Sequence, residues 1–182
     1  MSVSLRPARP DDAREMARWF ADLADLAAWG GPDVRFPLTD DQLAAWIAEG
    51  GNPMPRLCFT EVDEAGVPIG HVEFLRDPPK HWARLGRFAV APARRGKGFG
   101  RALFDHAVAL AFTELDVEHL VLAVLPTNER AIRLYASAGF RDEGTWPGVR
   151  TADGQPYVMT IMGLKRHDWR KTTGAGNAAG VA

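Results

Sequence analysis

Apolar and polar positions alternate over residues 3–6, Val3-Ser4-Leu5-Arg6, which is the period of a short strand. Pro10-Asp11-Asp12 then predicts a helix through about Phe20, with Asp11 or Asp12 as its cap. Helical periodicity continues over 23–29 and stops at Gly30-Gly31-Pro32. Thr39-Asp40-Asp41-Gln42 caps a further helix carrying Leu43, Trp46 and Ile47, which Gly50-Gly51-Asn52-Pro53 ends. From Arg56 the period becomes two. The runs 57–62 and 67–74 flank the turn Asp63-Glu64-Ala65-Gly66, and Asp77-Pro78-Pro79-Lys80 turns into a third strand ending at Val90. Three strands joined by such short turns predict an antiparallel meander.

After Val90 the apolar positions Leu103, Phe104, Ala107, Val108, Ala111 and Leu115 fall on one helical face, and residues 119–124 form an apolar, β-branched run. The strand–helix–strand order makes that run parallel to the strand ending at Val90. Residues 128–138 predict another helix, capped by Thr127 or Asn128, with Ala131, Leu134, Tyr135 and Ala138 on one face and Gly139 as its stop. Strands beginning at Phe140 and covering 157–162 follow, with Ala152-Asp153-Gly154 as the turn between them. After Trp169 no periodic apolar residue remains. The pattern therefore predicts one α/β (α+β) domain over residues 1–169 and a disordered Gly/Ala-rich tail over 170–182.

Apolar residues at 46% and charged residues at 25% suit a globular domain with a sizeable core. The formal net charge of −1 supplies no global field for nucleic acid or an anionic membrane, so neither is expected as a partner. The single cysteine, Cys58, excludes an internal disulfide and a multi-cysteine metal site and reads as a small buried hydrophobe; no metal is expected. The amino terminus has no apolar leader pattern, and no run approaches ~18 apolar residues, so a cytoplasmic location is expected.

Chemistry concentrates where the strand ending at Val90 meets the next helix. Gly96, Gly98 and Gly100 let a phosphate approach the main chain, and Arg94, Arg95, Lys97 and Arg101 place positive charge beside a helix N-terminus. The stretch reads as a phosphate cradle. A Walker-type loop is disfavoured because Lys97 is followed by Gly98, and a dinucleotide fold would want an acidic residue where the next strand ends at Val124-Leu125-Pro126.

The run V-x-P-x-x-R-G-K-G-x-G-R-A-L from Val90, with N-x-x-A-x-x-L-Y-x-x-x-G-F from Asn128, resembles the two conserved blocks of the GNAT N-acetyltransferase superfamily. The resemblance implies the GNAT fold, a mixed, mostly antiparallel sheet of about six to seven strands with helices on both faces. It implies acetyl-CoA as co-substrate, with its pyrophosphate on the backbone of Arg95, Gly96, Lys97, Gly98, Phe99, Gly100 and Arg101. Pantetheine would lie along Phe88, Ala89 and Val90 and touch Asn128, and Tyr135 would be the general acid that protonates the departing thiolate. The acceptor would be a primary amine of a small molecule or of a protein N-terminus. Pairing of the C-terminal strands across a homodimer is a further family-level expectation.

The glutamates that act as base in family members fall here on Ala123 and Arg84, so His71, Glu73 and His81 are the candidates from the neighbouring strands. Alternation puts His71 and Glu73 on one face, either in a shared wet site or on a solvated outer face. The segment that roofs the acceptor in the family holds Asp22, Asp25, Trp29, Asp33 and Phe36, of which Asp25 and Trp29 are the candidate substrate contacts for a cationic amine. The empty base position also suits a non-catalytic acyl-CoA-binding sensor as the alternative.

Overall fold

A computed structural model of the chain describes residues 3–30, 34–49, 54–150 and 156–173. Seven strands form one sheet in the order β1-β2-β3-β4-β5-β7-β6, where β1 is Val3–Pro7, β2 Arg56–Asp63, β3 Pro68–Asp77, β4 Trp82–Val90, β5 His119–Val124, β6 Arg141–Arg150 and β7 Pro156–Lys165. All pairings are antiparallel except β4 with β5. The helices are α1 (Ala13–Met16), α2 (Leu23–Gly30), α3 (Asp40–Glu49), α4 (Phe99–Thr113), α5 (Glu129–Ser137) and α6 (Arg166–Thr173). No helix among the described residues is long and apolar enough to cross a membrane.

Strand parity sorts two cores onto the two faces. Val72, Phe74, Ala83 and Leu85 pack beneath Leu103, Phe104, Ala107 and Phe112 of α4, with Leu134 and Tyr135 of α5 beside them. Ala89 and Ala91 look the other way, onto Ala13, Met16, Trp19, Leu26 and Leu43. Gly70 sets the seat of α4, because a Cβ there would lie 2.7 Å from Leu103 Cδ2. The β2–β3 turn forms as expected: Asp63 Oδ1 accepts from the Ala65 and Val67 amides, both at 3.1 Å, and Gly66 has φ +78°.

Two features of β4 shape the site. It pairs with β5 only from Trp82/His119 to Leu85/Leu122, so its last residues splay away from β5. Between His71↔Ala89 and Glu73↔Gly86 the register shifts, setting Arg87 and Phe88 against Val72 alone, with Arg87 at φ +46°. This β-bulge returns Phe88 to the α4 face and Ala89 to the α2 face.

Several expectations change. The helix expected from Pro10 to Phe20 is broken into a 3-10 turn (Pro10–Asp12), α1, and a second 3-10 turn (Ala17–Trp19). Arg9 is the N-cap of the 3-10 turn, and Asp12 is the N-cap of α1 by position but makes no side-chain cap hydrogen bond there. Instead Asp12, buried, accepts the Arg9 amide at 2.8 Å while taking both Arg6 Nη atoms at 2.7 and 2.8 Å. That tie to β1 holds the turn short of a regular helix. Thr39 does cap α3, exchanging hydrogen bonds with Gln42 at 2.9 and 3.2 Å. The side chains of Trp46 and Ile47, the breaks at Gly31-Pro32 and Gly50-Pro53, and the turn at 152–154 lie outside the described residues. The segment expected as tail from residue 170 begins inside α6, which runs to Thr173 with Trp169 5.3 Å from Phe112, and 174–182 lie outside the described residues.

Candidate active site

The cradle follows β4 directly. The Ala91 amide donates to Ile69 at 2.9 Å, closing β4 onto β3, and a 3-10 turn (Pro92–Arg94) leads to Gly96 at φ +75° and Gly98 at φ +87°. Their positive φ, and not lack of room, calls for glycine at both positions, because a Cβ at either would meet nothing within 4 Å. Gly98 is the N-cap of α4, whose first turn holds no acidic residue, so its positive end stays uncompensated.

The cations around it are held in place. Arg95 Nε donates to Val90 O at 3.0 Å, and its Nη2 donates to Trp19 O at 3.2 Å. Arg101 grips Asp105 at 2.7 and 2.9 Å and Ser137 Oγ at 2.9 Å, tying α4 to α5. Arg94 lies 2.7 Å from Asp63 and over the Phe99 ring.

A cleft of about 490 Å³ opens where β4 and β5 part. It runs from the cradle, with Arg95, Gly96, Gly98, Gly100 and Arg101 on its wall, past Phe88, Ala89 and Val90 to Asn128 and Tyr135, while Asp25 and Trp29 close the opposite side. Lys97 and Phe99 do not line it. Lys97 Nζ donates to Ala93 O at 2.9 Å on the surface, and Phe99 is a buried anchor for α4. Phe20, Arg130, Ala131 and Leu134 also line it. Ala131 and Leu134 were legible as part of the apolar face of α5, whereas Phe20 and Arg130 carried no signal beyond their position beside elements that proved to face the cleft.

Asn128 caps α5 by accepting the Ala131 amide at 3.1 Å. Tyr135 packs 5.0 Å from Phe104 and 6.3 Å from Phe140, and burial pushes its phenol up to about 12. It therefore carries its proton at any working pH. Glycines with positive φ, an uncompensated helix N-terminus, fixed cations and an apolar strand wall fit the diphosphate and the pantetheine arm of acetyl-CoA.

His71 and Glu73 do share a face, but it is neither an outer surface nor part of the cleft wall; both are buried, and the bulge brings Arg87 over them. Glu73 Oε1 lies 3.3 Å from His71 Nε2, and Oε2 lies 3.0 Å from Arg87 Nη1 and 3.5 Å from Arg56 Nε. His71 Nδ1 is buried without a hydrogen-bond partner among the described residues. With Cys58 these groups place three potential metal-ligand atoms within 4.8 Å of one another. The chemistry suits a hydrogen-bonded network better than a cation. Burial and then the neighbouring Glu73 push the Cys58 thiol up to about 12, and two guanidiniums already face the carboxylate.

His81 stands apart at the opposite end of β4, 2.9 Å from Asp116 on the surface. Trp29 Nε1 donates to Arg87 O at 2.8 Å, and its ring lies 4.9 Å from Phe20. Asp22 caps α2 by accepting the Asp25 amide at 2.8 Å, Phe36 is exposed, and Asp33 lies outside the described residues. Arg84 sits on β4 with its guanidinium 4.9 Å from the centre of the Trp146 ring.

Residues 17–140 match the model of the acetyltransferase (GNAT) family. The chain is 36% identical over 76 residues to spermidine N(1)-acetyltransferase of Vibrio cholerae, an alignment spanning 42% of this chain and 44% of that protein. It is 27% identical over 171 residues to aminoglycoside N(6')-acetyltransferase type 1 of Klebsiella pneumoniae, spanning 87% and 82%. The crystal structure of spermidine N-acetyltransferase from Vibrio cholerae in complex with CoA and spermine shares the fold, with a TM-score of 0.76, 21% identity, and coverage of 92% of this chain and 97% of that one. The chain belongs to the acetyltransferase (GNAT) family, N-acetyltransferases that use acetyl-CoA.

Proposed function

We propose that this chain transfers the acetyl group of acetyl-CoA directly to a primary amine of a small molecule. The observation that carries the reading is the continuity of one cleft from the Gly96–Gly98 cradle, along Phe88, Ala89 and Val90, to Asn128 and Tyr135. Acetyl-CoA supplies the acyl carbon as a thioester when bound. The cradle amides and the α4 N-terminus hold the diphosphate, and the splayed end of β4 offers main-chain hydrogen bonds to the pantetheine arm. The Ala89 amide, beside the bulge, is placed to hold the carbonyl oxygen as it gains charge.

Tyr135 keeps its proton and donates it toward sulfur as the C–S bond breaks. A phenol at about 12 is a weaker acid than an ordinary thiol near 8.5, so its contribution is greatest as a strong hydrogen bond in the transition state. Asp25, the carboxylate on the cleft wall, positions the incoming ammonium, and the amine proton leaves through it or through water. Glu73 is engaged by two guanidiniums and His71, so it anchors charge rather than acting as the base.

The relatives' names, spermidine and aminoglycoside acetyltransferases, support a small-molecule acceptor over a protein N-terminus. The residue Ala123 at a family base position favours the sensor reading instead. Thiol release from acetyl-CoA over an amine panel separates the two. Turnover that falls in Tyr135→Phe supports transfer, whereas saturable acetyl-CoA binding without turnover on any amine makes the chain a binder.

A further inference from the structure

A strained residue sits where the two sides of the cleft meet. Arg87 occupies the bulge of β4 at φ +46°, directly before Phe88, Ala89 and Val90 of the cleft wall. The adjacent Gly86 does not take up that conformation; the arginine does. Left-handed backbone costs an arginine free energy that it would not cost a glycine, and such outliers persist only where surrounding contacts over-determine them.

Three hydrogen bonds hold it there. Arg87 Nη1 donates to Glu73 Oε2 of β3 at 3.0 Å, and Nη2 donates to Gly30 O, at the end of α2, at 3.2 Å. In the return direction Trp29 Nε1 donates to Arg87 O at 2.8 Å. The bulge and the last turn of α2 therefore exchange side-chain-to-main-chain hydrogen bonds, one each way. Gly30 O is among the last carbonyls of α2, which lack intrahelical partners, and a cation there also suits the negative end of the helix. Burial brings the Arg87 guanidinium down to about 10, with Glu73 opposing the fall, so it keeps its charge at neutral pH. Glu73 is itself a fixed footing, since His71 Nε2 lies 3.3 Å and Arg56 Nε 3.5 Å from its carboxylate.

The two ends of this clamp face different reactants. Asp25 and Trp29 of α2 line the side of the cleft assigned above to the incoming amine, and Phe88, Ala89 and Val90 line the wall along which the thioester arm lies. With both cross-bonds made, neither wall shifts alone. The phosphate cradle is held by other contacts, the Ala91 amide to Ile69 O and Arg95 to Val90 O and Trp19 O. Cutting the clamp should therefore disturb the alignment of amine and thioester without disturbing the grip on the diphosphate.

We propose that Arg87 is a positioning residue: held between Glu73 and Gly30 O, it locks the β4 bulge to the end of α2 and so sets the spacing between the incoming amine and the thioester. It acts through Trp29 and residues 88–90 rather than on the reactants. This inference rests on the acetyl-transfer reading above.

The test uses acetyl-CoA with whichever of spermidine, kanamycin and 1,5-diaminopentane wild type turns over fastest. Thiol release gives kcat, and calorimetry gives acetyl-CoA affinity and, from its stoichiometry, the number of competent sites. Arg87→Gly puts a residue that adopts the bulge backbone freely in place of the arginine and removes both side-chain hydrogen bonds. It is expected to lower kcat per binding site about ten- to a hundredfold, at wild-type acetyl-CoA affinity. Arg87→Lys, which offers a single compact ammonium in place of a fork, is expected to recover part of the loss. Trp29→Phe keeps a ring and cuts the return bond. The kcat losses of Trp29→Phe and Arg87→Gly are expected not to multiply in the double variant, because both open one clamp.

Wild-type kcat in Arg87→Gly overturns the proposal, as does a loss confined to acetyl-CoA affinity, or losses in the two variants that multiply. If Arg87→Gly does not fold, Arg87→Lys and Trp29→Phe carry the same comparison, and wild-type kcat in both overturns the proposal. Wild type that fails to bind acetyl-CoA, or binds it and turns over none of the three amines, overturns the acetyl-transfer reading and the positioning role with it.

Discussion

Replacing Gly98 by alanine perturbs two quantities that a second glycine separates. Gly98 has φ +87° and Gly66 has φ +78°, and a Cβ on either would meet nothing within 4 Å. Gly98→Ala and Gly66→Ala therefore share one cost, the left-handed backbone forced on an alanine, of about 1–2 kcal/mol. For a chain of this size that lowers the melting temperature by about 2–8 °C in either variant. The two sites differ in what occupies the open space. Gly66 turns a hairpin between β2 and β3, whereas Gly98 caps α4 on the wall of the cleft. A methyl group on Gly98 stands where a phosphate must approach the amides, and loss of one charge-assisted hydrogen bond weakens binding about ten- to a hundredfold. Thermal melts and calorimetric titration with acetyl-CoA read both quantities on the same samples. Equal destabilisation is expected, with lost affinity in Gly98→Ala alone. Wild-type affinity in both variants would refute the placement of the diphosphate on this cradle.

Tyr135→Phe keeps the ring contacts with Phe104 and Phe140 and is expected to lower kcat about a hundredfold or more while leaving the KM for acetyl-CoA unchanged, read by steady-state thiol release. Asn128→Ala removes the cap of α5 and should cost about 1 kcal/mol of stability by chemical denaturation, with Asn128→Asp retaining most of it. Burial raises the Asp12 carboxyl, but the Arg6 and Arg9 hydrogen bonds outweigh it and leave the folded pKa below the ordinary value. Its stabilisation is then present above the unfolded carboxyl pKa of about 3.9 and is lost as pH falls through the folded value. The stability gap between wild type and Asp12→Asn should accordingly hold from neutral pH down to about 4 and close below it, as denaturation at stepped pH would record.

The glycine-rich wall of the candidate cleft was legible because its signals are local. Three glycines, four cations and a helical apolar face lie within one short stretch around Gly98, and Asn128 and Tyr135 lie on one predicted helix. Strand parity likewise put His71 and Glu73 together. Their burial was not legible, because it depends on Arg87 and Arg56 arriving from other strands and on a bulge that no pattern in β4 announces. The same bulge returns Ala89 to the α2 face, where a simple alternation from Leu85 would have placed Phe88. Arg84 read only as the replacement of a family glutamate; its partner Trp146 is distant in the chain and meets it through three intervening strand pairings. The helix expected from Pro10 failed for a related reason, since the Arg6–Asp12 pair is a contact between a strand and a turn that periodicity does not encode.

Direct transfer is most sharply tested by incubating the protein with acetyl-CoA labelled in the acetyl group and an amine acceptor, then locating the label by mass spectrometry. Label on the acceptor nitrogen, with none on the protein at any time of quenching, is the expected result. Label carried by a side chain of the chain, Cys58 or His71 included, or free thiol appearing with no label on any amine, would contradict it.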